Sequence, residues 1–314
     1  MKHTLSAVHR AMAFMEDSLT SPLTLEAISR RAGFSLWHFQ RLFSSHVGEP
    51  LGTYLRRRRL SVAVLDLRNT RRSILDIAFD YQFESHAAFT RAFRATFGAT
   101  PSSFRRRRQS PSTIATPVLG VLPSPIPMKP KIQKLPALVL LGLEAPFLGP
   151  MSEDANNHKV IPPLFGRFFA RKPELPPALD GYTYGITRPR SAALRTREDE
   201  LVYLAGQRVS PRTALIDGMV LWTLPARTYA IFRHRGPVVR IDETLGFIYG
   251  TWLQESDYQL AGDFSVERYD KSFCDGGEKS EFDILIPVQK RTSGRKTKTG
   301  QTRQLGNARH ARSR

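Results

Sequence analysis

One stretch of the chain occurs twice within its first hundred residues. Residues 25–43 read LEAISRRAGFSLWHFQRLF, and residues 74–93 read ILDIAFDYQFESHAAFTRAF. Each copy has the apolar spacing of a short helix, a tight turn and a longer helix opened by a serine cap. Because a repeated pattern folds twice in the same way, the sequence predicts two helix-turn-helix units in an all-α N-terminal domain.

The turn residues differ between the two copies. Thr24 and Ser35 are expected to cap the helices of the first unit, and Gly33 fits its turn because glycine adopts a left-handed backbone without strain. Gln82 replaces this glycine in the second unit, which predicts a cost of about 1 kcal/mol or a turn of different shape. Residues 51–67 read as one helix that would hold the units at a fixed distance.

The longer helix of each unit is expected to present a polar face to solvent. These outward residues are Trp37, His38, Gln40, Arg41 and Ser44 in the first unit, and His86, Ala87, Thr90, Arg91 and Arg94 in the second. An exposed tryptophan beside glutamine and arginine suits a DNA major groove, which offers thymine methyls, acceptor edges and phosphates. The alternative is that Trp37 packs on its own domain. The arginine runs at 56–59 and 105–108 are expected to contact phosphates.

The positive charge is concentrated at the two ends of the chain. The net charge of +19 divides into +10 in residues 1–110, zero in 111–289 and +9 in 290–314. A concentrated positive field suits nucleic acid, ahead of a membrane, because no strongly apolar amphipathic segment accompanies it. No secretory signal opens the chain, and no apolar run approaches the roughly 20 residues of a membrane span. We therefore expect a cytoplasmic protein with no membrane partner.

The sequence contains few residues in patterns typical of metal binding or catalysis. The single cysteine, Cys274, excludes a disulfide framework, and the eight histidines include no close metal-ligand pair. No glycine-rich phosphate loop precedes a helix, and no nucleophile is specified. We expect no metal, no cofactor and no enzymatic activity. The open alternative is a small-molecule hydrolase in which His234 pairs with Asp283 or Glu267.

The first hundred residues resemble the DNA-binding domain of AraC/XylS-family transcription regulators, in the MarA, SoxS and Rob group. The shared motifs are SPLTL at 21–25, GFSLWHFQRLF at 33–43, GEPLGTY at 48–54, FES at 83–85, FTRAF at 89–93 and PSSFR at 101–105. The resemblance implies sequence-specific binding of double-stranded promoter DNA across two major-groove faces about 34 Å apart. The DNA contacts that it implies are Ser35, Trp37, Gln40 and Arg41 in the first unit, and His86, Ala87, Thr90 and Arg91 in the second. Ala87 offers only a methyl group, which predicts weaker base readout by the second unit.

Composition divides the chain further along. Six prolines, with serine and threonine between them, fall in residues 109–130 and predict an extended linker. The DNA-binding domain is therefore assigned to residues 1–108 and a second domain to 131–289. Residues 290–314 are basic and almost free of apolar residues, which predicts a disordered tail.

The second domain is also expected to be a repeat. Its first half offers a strand at 137–143, a helix near 160–169, and strands at 182–187 and 201–207. Its second half offers strands at 219–223 and 228–234, a helix near 239–255, and strands at 265–270 and 283–288. Two βαββ units predict an α+β domain with pseudo-twofold symmetry and a central groove. The candidate groove residues are Tyr184, Trp222, Tyr229, Tyr249, Trp252 and Tyr269, with the acids Glu267 and Asp283.

This segment resembles the GyrI-like effector-binding domain. The motifs are YGI at 184–186, YLAG at 203–206, YAIFRHRGP at 229–237, FSVERY at 264–269 and ILIPV at 284–288. The resemblance implies a small, cationic or lipophilic effector bound among aromatic rings, with Asp283 at the position of a pocket glutamate. The other interpretations are ordinary core filling by the aromatic residues, a surface ion pair of Glu267 with Arg268 or Lys271, and a domain that serves only protein interaction.

A ligand-sensing transcription regulator is the function that these patterns favour. Its expected partners are promoter DNA, a small effector and, as a further candidate, RNA polymerase. The competing interpretation for the N-terminal domain is an architectural protein that binds all duplexes alike.

Overall fold

The structure, a computed structural model, describes residues 2–107 and 128–291. Most of the proline-rich linker predicted at 109–130 and most of the tail predicted at 290–314 lie outside the described residues. The N-terminal part is helical throughout. Its helices are α1 (Lys2–Glu16), α2 (Leu25–Ala32), α3 (Leu36–Val47), α4 (Leu51–Asn69), α5 (Ile74–Asp80), α6 (His86–Phe97) and α7 (Pro101–Arg107).

The two predicted helix-turn-helix units are α2–α3 and α5–α6, and α4 joins them. Phe39, Phe43 and Tyr54 are fully buried in the core of the first unit, which α1 completes. Phe89 and Phe93 are fully buried in the core of the second unit, which α7 completes. The all-α double helix-turn-helix prediction is confirmed.

Both units are closed by the same turn. Thr24 and Ser35 cap α2 and α3 as predicted, with their side-chain oxygens accepting from backbone N–H groups one turn along. Gly33 has φ of 90° and Gln82 has φ of 63°. The residue after each one donates to a carbonyl five residues back, at 3.0 Å in both units. The second turn therefore keeps the shape of the first and retains the left-handed strain of a non-glycine residue.

The C-terminal part is an α+β domain, as predicted. Its strands are β1 (Lys131–Leu135), β2 (Leu138–Leu148), β3 (Thr183–Pro189), β4 (Glu200–Val209), β5 (Val220–Leu224), β6 (Arg227–Arg235), β7 (Tyr258–Leu260), β8 (Ser265–Tyr269) and β9 (Glu281–Lys290). Its helices are α8 (Asn157–Ala170) and α9 (Ile241–Phe247), and α9 continues through a π-helical turn (Ile248–Trp252) into α10 (Leu253–Glu255). Short 3-10 turns lie at Lys172–Glu174 and Val238–Arg240. Strands β1 and β7 add to the two predicted βαββ units.

All strands belong to one antiparallel sheet. Its order is β1-β6-β9-β8-β3-β4-β2-β5, with β7 beside β9. Only Pro225 and Ala226 separate β5 from β6, although these strands lie near opposite ends of that order. Because the three peptide links from Leu224 to Arg227 span at most about 11 Å, the sheet must curl until its ends meet. Helices α8 and α9 cover one side, called here the helix face, and the other side closes on its own side chains as the inner face.

Two glycine substitutions should have opposite effects on stability. Neither Gly33 nor Gly166 has an atom within 4 Å of a built Cβ, so only the backbone decides. Gly33→Ala should lower the free energy of unfolding by about 1 kcal/mol, because alanine at φ of 90° is strained. Gly166→Ala should raise it by about 0.5–1 kcal/mol, because Gly166 is exposed inside α8. Denaturant unfolding measures both, and a stabilising Gly33→Ala would contradict the turn described here.

Candidate functional sites

The recognition helix of the second unit, α6, is open to solvent. His86, Ala87 and Arg91 are exposed, and Thr90 is partly buried beside them. Ser85 caps α6 by accepting from the backbone N–H of Ala88 at 3.1 Å. The exposed side chains are therefore free to meet a major groove, whereas the hydroxyl of Thr90 is buried in this conformation, and the individual base contacts stay a prediction.

The recognition helix of the first unit, α3, is covered by the other domain. Trp37 is only 3% exposed and Gln40 only 5%. Trp37 belongs to a buried cluster of the C-terminal domain that includes Phe147, Leu201 and Tyr203. The prediction that Trp37 and Gln40 face solvent is wrong, and so is the alternative that Trp37 packs on its own domain. The side chain does point away from its own core, but the GyrI-like segment fills the space into which it points.

Arg41 is held at the same junction. Its guanidinium lies 3.3 Å from the centre of the Trp37 ring and 5.7 Å from that of Tyr249, which belongs to the π-helical turn. One of its nitrogens donates to the Trp37 carbonyl at 3.0 Å. Burial lowers the pKa of the Arg41 guanidinium, and the nearby Tyr249, Asp242 and Asp263 act in the opposite direction. Arginine stays charged under this influence, so the contact is a stacked cation–π interaction.

Carboxylates of the C-terminal domain meet the first unit at helix starts. Asp263 Oδ1 accepts from the Ser35 hydroxyl at 2.9 Å and lies 3.2 Å from His38 Nε2. Glu198 Oε2 accepts from the backbone N–H of Leu25 at 2.8 Å, at the start of α2. Two ion pairs flank these contacts, Arg195–Glu26 at 2.5 Å and Arg56–Glu153 at 2.5 Å. We call this set of contacts, together with Trp37 and Arg41, the domain seam.

A cavity of about 290 Å³ opens inside the seam. Trp37, Gln40 and Arg30 line it from the helical side, and Leu201 and Asp263 line it from the sheet side. Its lining does not include Glu267 or the two tyrosines that bind Glu267.

On the helix face of the sheet, Glu267 is bound by two tyrosines. Its Oε2 accepts from the hydroxyls of Tyr203, at 2.6 Å, and Tyr269, at 2.5 Å. The Phe165 ring of α8 lies edge-on to both rings, at 5.9 and 5.6 Å. Gly185 makes the arrangement possible, because a Cβ at that position would lie 1.8 Å from the Tyr203 hydroxyl. We call this group the Glu267 cleft.

Glu267 has no cationic partner among the described residues. None of the ion pairs in residues 2–107 and 128–291 includes it. Burial raises the pKa of Glu267, while the two tyrosine hydroxyls lower it by stabilising the charged form. Tyr203 and Phe165 were not among the residues chosen from the sequence. The YLAG motif at 203–206 was the signal that could have identified Tyr203.

Asp283 lies on the inner face, opposite to Glu267. It stands directly across from Arg268 in the β8–β9 register, and residues paired in this way share a face. Its carboxylate lies 2.7 Å from Arg268 and 3.1 Å from Arg233. The alternative of an ion pair between Glu267 and Arg268 is therefore wrong, because Arg268 is bound to Asp283, and none of the described ion pairs joins Glu267 to Lys271.

The other aromatic candidates divide between several environments. Tyr184, Trp222 and Tyr229 are buried in the inner-face cluster. Trp252 packs in the core under α9, against Phe232 and Tyr258. Tyr249 lies at the seam, and only Tyr269 contacts Glu267. The expectation of one groove lined by all eight residues is therefore corrected, because strand alternation places its members on different faces.

Of the arginines predicted to contact phosphates, the four at 56–59 are already bound within the chain. In the run at 105–108, Arg105 donates to the Leu67 carbonyl at 3.2 Å, Arg106 is exposed, and the last two side chains lie outside the described part of the structure. Arg58 forms a fork with Glu16 at 2.7 and 2.9 Å, and Arg57 pairs with Glu49 at 2.5 Å. Arg59 donates to backbone carbonyls after α1. Arg56 reaches across the seam to Glu153. In this conformation these side chains stabilise the fold, and phosphate contact stays a prediction.

Neither a membrane-spanning helix nor a cluster of metal ligands occurs in the part of the chain that the structure describes. No helix in residues 2–107 or 128–291 combines the length and apolar character needed to cross a bilayer. Within the same ranges, no three histidine, cysteine or acidic side chains come together as metal ligands would.

Comparison with known proteins agrees with both parts of the fold. A helix-turn-helix domain family matches residues 28–107, and the GyrI-like small molecule binding domain family matches residues 128–289. The chain is 27% identical over 284 residues to the transcriptional regulator Rob of Salmonella typhimurium, covering 89% of this chain and 96% of Rob. The chain belongs to the AraC family of transcription regulators and carries a GyrI-like domain.

Two further comparisons are with a curated protein and with a solved structure. The right origin-binding protein of Escherichia coli K12 is 28% identical over 288 residues, which cover 89% of this chain and 96% of that protein. Among solved structures, SAV2435 bound to tetraphenylphosphonium has a TM-score of 0.41 and 17% identity, over 52% of this chain and 94% of that one.

The ion pairs of Asp283 should contribute to stability. Asp283→Asn removes the carboxylate that pairs with Arg268 and one of the three carboxylates that pair with Arg233, and we expect a loss of about 1–3 kcal/mol in the free energy of unfolding. The matched control is Asp217→Asn, which alters an exposed carboxylate and should change stability by less than about 0.5 kcal/mol. Denaturant unfolding that gives equal values for both variants would show that the inner-face pairs contribute nothing.

Proposed function

We propose that this DNA-binding transcription regulator senses a small lipophilic cation in the Glu267 cleft. The observation that carries the proposal is a partly buried carboxylate whose hydrogen bonds come from two tyrosine hydroxyls. Promoter DNA and the effector are its partners, with RNA polymerase as a further one. A protein that regulates a bacterial promoter works in the cytoplasm, where we place it.

The chemistry of the cleft favours a cation over an anion or a neutral polar molecule. A buried carboxylate without a counter-ion is costly, and a bound cation would remove that cost. The rings of Phe165, Tyr203 and Tyr269 add cation–π attraction of about 0.5–2 kcal/mol each when desolvated. Asp283 is the weaker candidate, because two arginines already neutralise it.

The DNA side of the proposal assigns base contacts to α3 and α6. The candidate contacts are Ser35, Trp37, Gln40 and Arg41 from the first unit, and His86, Ala87, Thr90 and Arg91 from the second. Exposure of α6 supports the second set. Helix α3 can contribute only in a conformation in which the seam is open.

Ligand binding should depend on Glu267 and on pH. Titration calorimetry with tetraphenylphosphonium should show at least a tenfold loss of affinity in Glu267→Gln, because the carboxylate charge is removed. Asp283→Asn makes the same chemical change on the opposite face and should bind normally. Affinity should also rise with pH through the raised pKa of Glu267, since only the ionised form attracts a cation.

Unchanged binding by Glu267→Gln would remove the cleft from the proposal. A chain that binds no lipophilic cation at all would favour the alternative of a domain for protein interaction. Turnover of small electrophilic esters that is lost in Glu267→Gln would favour the hydrolase.

Base readout by α6 should be specific. Selection from a random duplex library should return two half-sites about ten base pairs apart. Arg91→Ala should then weaken binding to the selected site by about tenfold or more and weaken random duplexes less, because base contacts carry discrimination of about 1–3 kcal/mol. Equal weakening of all duplexes would indicate phosphate contact alone.

A further inference from the structure

The two recognition helices offer an internal comparison. They occupy equivalent positions in the repeat, so Trp37 corresponds to Ala87 and Arg41 to Arg91. Ala87 and Arg91 are exposed, whereas Trp37 is buried and Arg41 is stacked between two aromatic rings. The same surface is therefore open in one unit and occupied in the other, and its occupant is the GyrI-like domain.

The carboxylates that contact the first unit carry negative charge, as the phosphates of a DNA backbone do. Helix N-termini in helix-turn-helix proteins bind phosphate oxygens through backbone N–H groups. At the start of α2 the Glu198 carboxylate accepts from the backbone N–H of Leu25 in this way, and at the start of α3 the Asp263 carboxylate accepts from the hydroxyl of the cap residue Ser35. Glu153 forms an ion pair with Arg56, which is one of the arginines predicted to contact phosphate, so its carboxylate replaces a phosphate there as well. Three acids of one domain thus stand where an anionic duplex would be bound.

The centre of the contact buries two side chains of α3. Trp37 inserts among Phe147, Leu201 and Tyr203, and Arg41 is desolvated over Tyr249. These are the side chains assigned to base edges under the proposed function. A duplex and the GyrI-like domain cannot occupy α3 together.

We propose that the GyrI-like domain is an internal mimic of DNA that blocks the first helix-turn-helix unit until the seam opens. In the closed chain only α6 is available to DNA. Only molecules with an open seam can bind both half-sites of a DNA site. The apparent affinity of the protein for such a site is therefore reduced in proportion to the fraction of molecules whose seam is open. Weakening the seam from the GyrI-like side therefore strengthens DNA binding, although no DNA contact is changed.

Charge reversal at Arg195 tests the mimic in the full chain without any effector. Arg195→Glu replaces the ion pair with Glu26 by a repulsion, and so opens the seam. It also lowers the net charge by two relative to wild type, which on long-range electrostatics alone weakens DNA binding. The matched control is Arg212→Glu, which makes the same change at an exposed position of the same domain.

Fluorescence anisotropy with the selected duplex should show Arg195→Glu binding about tenfold more tightly than Arg212→Glu, with footprints over both half-sites. Binding by Arg195→Glu that equals or falls below that of Arg212→Glu would overturn the proposal. A thermal melt of each variant verifies that both are folded.

A second pair of variants tests the acids directly. Glu198→Ala combined with Asp263→Ala removes two of the three phosphate mimics. Glu174→Ala combined with Glu278→Ala removes two exposed carboxylates that bind Arg171 and Arg240 instead. Both double variants raise the net charge equally. Tighter DNA binding by the first double variant than by the second therefore supports the mimic, and equal DNA binding contradicts it.

Neither the charge reversal nor the double variants require a ligand. Failure of the Glu267 cleft to bind a cation therefore leaves both results interpretable.

Discussion

The burial of two α3 side chains against the C-terminal domain joins the two halves of this protein. Trp37 packs with Phe147, Leu201 and Tyr203, and the Arg41 guanidinium, stacked on Trp37, lies 5.7 Å from the centre of the Tyr249 ring. A buried guanidinium is tolerated only where aromatic faces and carboxylates replace its water. Tyr249, Asp242 and Asp263 supply that environment from the C-terminal domain. Under the proposed function, helix α3 binds either a DNA groove or this seam, and regulation depends on the balance between the two.

The seam and the Glu267 cleft share Tyr203, which under the proposed function is the physical route from ligand to DNA. Tyr203 donates to Glu267 through its hydroxyl, and its ring belongs to the cluster that contains Trp37. A cation drawn to Glu267 must be accommodated among the same rings. If its affinity is higher in the open chain, ligand and DNA favour each other by equal free energies, because linkage is reciprocal.

Local features of this fold could be predicted from sequence, whereas its long-range contacts could not. Thr24, Ser35 and the Gly33 turn act through neighbours in the chain, and the order of apolar residues defined both βαββ units. The faces of Glu267 and Asp283 depend on the register of β8 against β9, which no local pattern specifies. The burial of Trp37 depends on Leu201 and Tyr203, more than 160 residues away, so its apolar character was interpreted as a DNA contact.

The account depends most on Trp37 being covered in the free chain, and oxidative footprinting read by mass spectrometry tests this directly. Tryptophan reacts rapidly with hydroxyl radicals when it is exposed, and Trp222, which is 5% exposed in the inner-face cluster, is an internal reference. In the wild-type chain without DNA, Trp37 should be oxidised as slowly as Trp222. Oxidation of Trp37 several-fold faster than Trp222 would mean that α3 is open in solution, and would contradict the account.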